Sequence, residues 1–176
     1  GAEAETFQAD LTDTDQTNAF ATAVAERFGT VDLLIASAAV FRPTPWPLIS
    51  DDDWDFHLDA NLKGTFRLIR AFTPHLAQDS LIITFGDWSG LRPYKDYLPY
   101  CVSKAAVIAM TQALAQEMAP KTRVNCICPG TILPPESADS AERSALEHAA
   151  PLQRIGSPAD IIAAINFFMI SSFTTG

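Results

Sequence analysis

Ser80-Leu81-Ile82-Ile83-Thr84-Phe85-Gly86-Asp87-Trp88-Ser89-Gly90-Leu91-Arg92-Pro93-Tyr94-Lys95-Asp96-Tyr97-Leu98-Pro99-Tyr100-Cys101-Val102-Ser103-Lys104 opens with a short apolar run, turns at Gly86, and resumes after a proline-bearing loop in a helical pattern that reaches Met118. The first run, Ser80–Phe85, reads as a strand buried on both faces, and Tyr100–Met118 reads as a helix. The same order recurs on either side. Thr6–Asp10 predicts a strand, and Gln16–Phe28 a helix stopped by Gly29. Val31–Ala36 predicts another buried strand, and the proline-rich Phe41–Pro47 a loop. Ser50 or Asp51 can cap a long helix whose Trp54, Leu58, Leu62, Phe66 and Ile69 recur at about a turn. Arg123–Cys128 predicts a strand closing on Pro129-Gly130, and Ser137–Ala149 and Pro158–Ser171 predict two helices around the turn Arg154–Pro158. Alternation of this kind predicts an α/β fold, a doubly wound parallel sheet with helices on both faces and ligands beyond the carboxyl ends of its strands. No repeat or linker divides the chain, so residues 1–176 read as one domain.

Composition narrows the partners. Twelve basic and twenty-one acidic residues leave a net charge of −9, a field that repels nucleic-acid phosphates and anionic lipid. No apolar run in the sequence approaches the roughly 20 residues a membrane helix needs, and Gly1–Glu5 lacks the order of a signal peptide. A cytoplasmic location is expected. Three cysteines are a poor disulfide framework. Cys126-Ile127-Cys128 lacks the spacing of a zinc site and reads as small apolar groups on a strand face. His57, His75 and His148 are scattered, so no metal is expected.

Tyr100 and Lys104, four apart at the start of a helix, lie on one face of it. An ammonium there stabilises a phenolate, which draws the tyrosine pKa down toward the range where it exchanges a proton with substrate. Asp87 stands thirteen positions before that tyrosine.

Over essentially its whole length the chain resembles the short-chain dehydrogenases/reductases, a Rossmann-like family. Asp10-Leu11 matches the family's acidic residue after the third strand, which contacts adenine, and Phe28–Leu34 matches the lead into the fourth strand. Asn61-Leu62-Lys63-Gly64 matches the segment whose asparagine supports the lysine through a water. Pro129-Gly130-Thr131-Ile132 matches the turn over the nicotinamide. The resemblance implies catalytic roles for Asp87, Tyr100, Lys104 and Asn61. It implies cofactor contacts from Asp10, Leu11, Ala36, Ser37, Ala38, Tyr100, Lys104, Pro129, Gly130 and Ile132. NADPH is the expected cofactor, with NAD the other option.

Two departures point further. Ala36-Ser37-Ala38-Ala39 stands where the family usually has Asn-Asn-Ala-Gly, and Asp87 stands where it has a serine. The second replacement, with Ala39-Val40-Phe41-Arg42-Pro43-Thr44-Pro45, resembles the pteridine reductase branch, and Pro129–Glu136 and Pro151–Pro158 look like bacterial members of it. That resemblance implies a pterin substrate held by Phe41, Asp87 and Tyr100; Trp88 and Tyr97 are candidate pocket walls that no motif fixes, and Tyr97 is counted with the substrate-binding residues. Phe41 as a core plug and Asp87 as a solvated loop carboxylate are the plainer readings. A carbonyl-reducing relative and a non-catalytic binding protein remain the alternatives for the whole chain. The resemblance also places a glycine-rich pyrophosphate turn about fifty residues before Gly1. On that expectation the fold lacks its first two strands and its last, and the isolated piece binds cofactor poorly. It further implies a homo-oligomer paired through helices at about Asp52–Ala77 and Leu98–Ala119, with Ile69, Phe72, Ile108 and Leu114 serving core and partner together.

Overall fold

The computed structural model describes residues 2–134 and 138–176. Three parallel strands, β1 (Val31–Ala36), β2 (Leu76–Phe85) and β3 (Thr122–Ile127), form one sheet in the order β1-β2-β3. Leu34 pairs with Ile82 and Ile82 with Val124, so the apolar centres of the strands lie in line. Side chains alternate across the sheet as the pleat requires. Leu34, Ala36, Ile82 and Val124 face one core, shared with α1 (Thr14–Phe28), α3 (Gly64–Phe72) and α4 (Leu98–Met118) through Ala21, Leu68, Ile69, Phe72 and Ala115. Leu81, Ile83 and Ile127 face the other, covered by Ile161, Ala164, Ile165 and Phe168 of α6 (Pro158–Ile170). Helices on both faces of a parallel sheet are the predicted architecture.

Several boundaries differ for physical reasons. Thr6–Asp10 forms no strand: among the described residues nothing offers it a ladder partner. Strand β2 starts at Leu76, before the predicted Ser80, because an irregularity around Asp79, whose φ is 61°, shifts the register opposite Val31–Leu33. The long helix after Ser50 is three pieces. Ser50 caps α2 (Asp51–His57) in a reciprocal capping box with Asp53, a π-helical turn spans Leu58–Lys63, and α3 follows. The predicted helix from Ser137 is α5 (Ser140–Ala149), with Asp139 as its cap. Pro135, Glu136 and Ser137 lie outside the described residues.

Helix α4, at 21 residues, is long and apolar enough to cross a membrane by length and composition, which corrects the reading that no such run exists. Its Tyr100, Cys101, Ser103, Lys104, Val107, Thr111 and Ala115 are buried, as in the core helix of an α/β sheet. Thr84 and Thr111 satisfy each other across that contact, with their hydroxyls 2.6 Å apart. Beyond β3 the chain end runs alongside it, the Gly176 N–H donating to the Val124 carbonyl at 2.9 Å.

Candidate active site

Parallel strands deliver their carboxyl ends to one side, and a cleft of about 860 Å³ opens there. Phe85 at the end of β2, Asp87 just beyond it and Pro129–Leu133 after β3 line it, together with Phe41, Trp88, Tyr94, Tyr100, Leu146, Pro151 and Ile161. Most of that lining is apolar. Asp87 and the two phenols are its principal polar groups.

The Tyr100 hydroxyl donates to Asp87 Oδ2 at 3.0 Å, and the Ser89 N–H holds Oδ1 at 2.6 Å. Asp87 caps the short 3-10 turn Trp88–Gly90, which fixes its rotamer against Tyr100. Lys104 Nζ donates to the Phe85 carbonyl at 3.0 Å and sits 5.8 Å from the Tyr100 ring centroid. The expected fall in the Tyr100 pKa is reversed. Burial first, then the charge and hydrogen bond of Asp87, push it well above the usual phenol range. Tyr94 is pushed up to about 12 by burial and by the same carboxylate. Burial lowers the pKa of the Lys104 ammonium, with the Asp87 charge working against that. Asp87→Asn is therefore expected to bring the ionisation of both Tyr94 and Tyr100 down. An alkaline ultraviolet titration that leaves both unchanged in this variant would contradict the pairing.

Asn61 is 1% exposed and lies within the π-helical turn. Its amide accepts the Val40 N–H at 2.7 Å and donates to the Val40 carbonyl at 3.0 Å and to Ser103 Oγ at 2.9 Å. Ser103 in turn donates to the Tyr100 carbonyl at 2.7 Å. Asn61 thus ties the segment before Phe41 to the helix that carries Tyr100 and Lys104, without a direct bond to the lysine. The wider turn that presents it is the kind of π-bulge often found at functional sites.

Phe41 is 56% exposed, which removes the core-plug reading. It stacks on Tyr97 at 4.5 Å and meets Tyr100 edge-on at 4.6 Å. Tyr97, half-buried, stacks on Phe41 and is not among the residues lining the cleft. Trp88 lines the cleft as expected. Tyr94 was missed, as were Leu133, Leu146 and Pro151, because no motif marks loop residues that converge only in three dimensions.

The cofactor-side residues spread along the same edge. Pro129, Gly130 and Ile132 line the cleft. Ala36 ends β1, with Ser37 and Ala38 exposed beyond it, and Asp10 turns back on Thr12 through its side chain at 2.8 Å. Leu11, half-buried, packs against the core beside Gly64. A nicotinamide nucleotide fits this set on one observation: Lys104, 5% exposed, makes a single hydrogen bond among the described residues. An ammonium has three donors, so a buried one in this state suits ribose hydroxyls.

Gly86 joins β2 to Asp87 without room for a side chain. A Cβ there would lie 2.7 Å from Cys128 Sγ and 2.9 Å from an Ile108 methylene. Gly86→Ala is expected to destabilise the fold by about 1–3 kcal/mol, read as a lowered urea midpoint. An unchanged midpoint would show that the turn has slack.

Fold and cleft define an α/β protein with its ligand site at the carboxyl edge of a parallel sheet, and a Tyr-x-x-x-Lys pair on the adjoining helix. A family model described as enoyl-(acyl carrier protein) reductase matches residues 1–176. The chain belongs to the short-chain dehydrogenase/reductase family, whose members are nicotinamide-dependent oxidoreductases. It is 30% identical to the 3-oxoacyl-[acyl-carrier-protein] reductase of Thermotoga maritima, a match over 94% of this chain and 70% of that protein. Its fold matches a crystal structure of a short-chain dehydrogenase/reductase, glucose/ribitol dehydrogenase, from Brucella melitensis. That match has TM-score 0.87 and 33% identity, covering 96% of this chain and 69% of that one. A short-chain dehydrogenase from Burkholderia cenocepacia J2315 in complex with NADP matches with TM-score 0.84 and 27% identity, over 94% and 69% of the two chains. The chain spans about two thirds of the length of its curated relatives.

Proposed function

We propose that the protein carrying this chain reduces C=N bonds of a pteridine, of dihydropterin or dihydrofolate type, with NADPH. The observation that carries this reading is the 3.0 Å bond between the Tyr100 hydroxyl and the Asp87 carboxylate. A carbonyl oxygen gaining negative charge is best met by a neutral donor, and a carboxylate beside it opposes that charge. A ring nitrogen that must gain a proton has a use for two adjoining proton-handling groups. Phe41, exposed at the cleft wall, adds an aromatic surface suited to a flat heterocycle.

Lys104 and Pro129–Ile132 would hold the nicotinamide end of the cofactor, Ala36–Ala38 its middle, and Asp10 with the Leu11 backbone its adenine end. When bound, the cofactor supplies a hydride. Tyr100 delivers the proton, its raised pKa keeping it in the donor form across the neutral range. The Lys104 ammonium offsets the charge left on the phenol oxygen, and a solvent proton relayed through water beside the Asp87 carboxylate returns to it. Asn61 holds Phe41 and Tyr100 in register through Val40 and Ser103.

The proposal extends to a cytoplasmic homo-oligomer. Ile69 and Phe72 are each 2% exposed and committed to the core, so the helix pair would offer Phe66 and Leu98, at 40% and 43%, to a partner. Following NADPH oxidation by the full-length protein with dihydropterins beside simple ketones tests the substrate class. Turnover of the pterins supports it, and turnover of ketones alone returns the reading to a carbonyl reductase.

A further inference from the structure

Cys126 and Cys128 take no part in the chemistry above. Both are partly exposed, with free thiols. Their Sγ atoms lie 3.8 Å apart, on the same side of the chain. Residues two apart on an extended chain have Cα atoms roughly 6 to 7 Å apart, near the upper end of the span a disulfide bridges. The Gly86 N–H donates to Cys126 Sγ at 3.2 Å, and a Cβ on Gly86 would meet Cys128 and Cys126 sulfurs at 2.7 and 3.1 Å. The two sulfurs therefore flank the residue that precedes Asp87.

We propose that Cys126 and Cys128 are a redox-modification site, closed to an intramolecular disulfide by peroxide-class oxidants and coupled through Gly86 to the Asp87 turn. The Cys126 thiolate attacks one peroxide oxygen, the O–O bond breaks, and hydroxide leaves and takes up the proton that Cys126 released, giving a sulfenic acid and water. The Cys128 sulfur then displaces the hydroxyl of that acid, a second water leaves, and the S–S bond forms. Peroxide is reduced and the two thiols are oxidised. A thiol reductant reverses the change. The order of attack follows from the surroundings. Cys126 receives hydrogen bonds from the Cys128 thiol first, and from Thr84 and Gly86, which hold its pKa below the usual thiol range, whereas donating to Cys126 raises that of Cys128. Joining the sulfurs contracts their separation to about 2.0 Å, which draws on the bonds that seat Gly86.

The test treats the purified protein with hydrogen peroxide. Free thiols are expected to fall by two, and the tryptic peptide Val124–Arg143 to lose the mass of two hydrogens, both restored by dithiothreitol. Cys126→Ser and Cys128→Ser each abolish the loss, and Cys101→Ser keeps it. Capture of one phenylarsine oxide per untreated chain, lost after peroxide, gives the same answer without a variant. The alkaline titration of Tyr100 is expected to shift on oxidation, and an unmoved titration overturns the coupling to Asp87. A disulfide that includes Cys101 or joins two chains, or sulfinic acid on Cys126 with Cys128 still free, overturns the site.

Discussion

Tyr100→Phe in the full-length protein is expected to lower turnover by about 100-fold or more while the fold persists. The ring stays in its place between Phe41 and Lys104, and only the oxygen that donates to Asp87 Oδ2 is lost. Lys104→Ala is expected to cost similar turnover and to weaken cofactor binding, because its ammonium is the buried donor with spare valences beside the cleft. Steady-state NADPH oxidation, with circular dichroism melts to confirm folding, reads both effects. A phenylalanine variant as fast as the wild type would take the proton away from Tyr100.

How much of this was visible in the sequence depends on the range of the interaction. Strands β1 and β3 and helices α1, α4 and α6 were legible because their patterns are local: continuous apolar runs, helical spacing, Gly29 as a stop and Pro158 as a start. Thr6–Asp10 has the pattern of a strand without the partner that makes one. The π-helical turn at Leu58–Lys63 leaves the apolar spacing nearly intact, so a one-residue widening escapes a periodicity search. In the site, Tyr100, Lys104, Asn61 and Asp87 were named from spacing and resemblance, and the cleft gathers Tyr100 and Asp87 at hydrogen-bonding distance. The sign of the Tyr100 pKa was not legible. It depends first on burial and then on the contact with Asp87, and the sequence shows the spacing of Asp87 and Lys104 but neither the burial nor which of the two meets the hydroxyl. Tyr94 went unnamed for a similar reason, since no local pattern tells which loop aromatics line the cleft and which, like Tyr97, stack on Phe41.

Asp87→Ser separates the pterin reading from its rival by the sign of its effect. For a pterin the variant loses a proton-handling carboxyl, and activity is expected to fall by roughly 100-fold, the scale of a general acid–base contribution. For a ketone the serine removes a negative charge from beside the developing oxyanion and adds a neutral donor, so activity is expected to hold or rise. Phe41→Ala should weaken pterin binding by the stacking contribution, about 0.5–1.5 kcal/mol beyond lost burial, with little effect on a small aliphatic ketone.

The most direct measurement is therefore kcat/KM for a dihydropterin and for a simple ketone, taken side by side on the full-length wild type and its Asp87→Ser variant. The account predicts that the wild type prefers the pterin and that the serine variant loses that preference through a fall in pterin reduction. A wild type that ignores pterins, with a serine variant that reduces ketones faster, would contradict it.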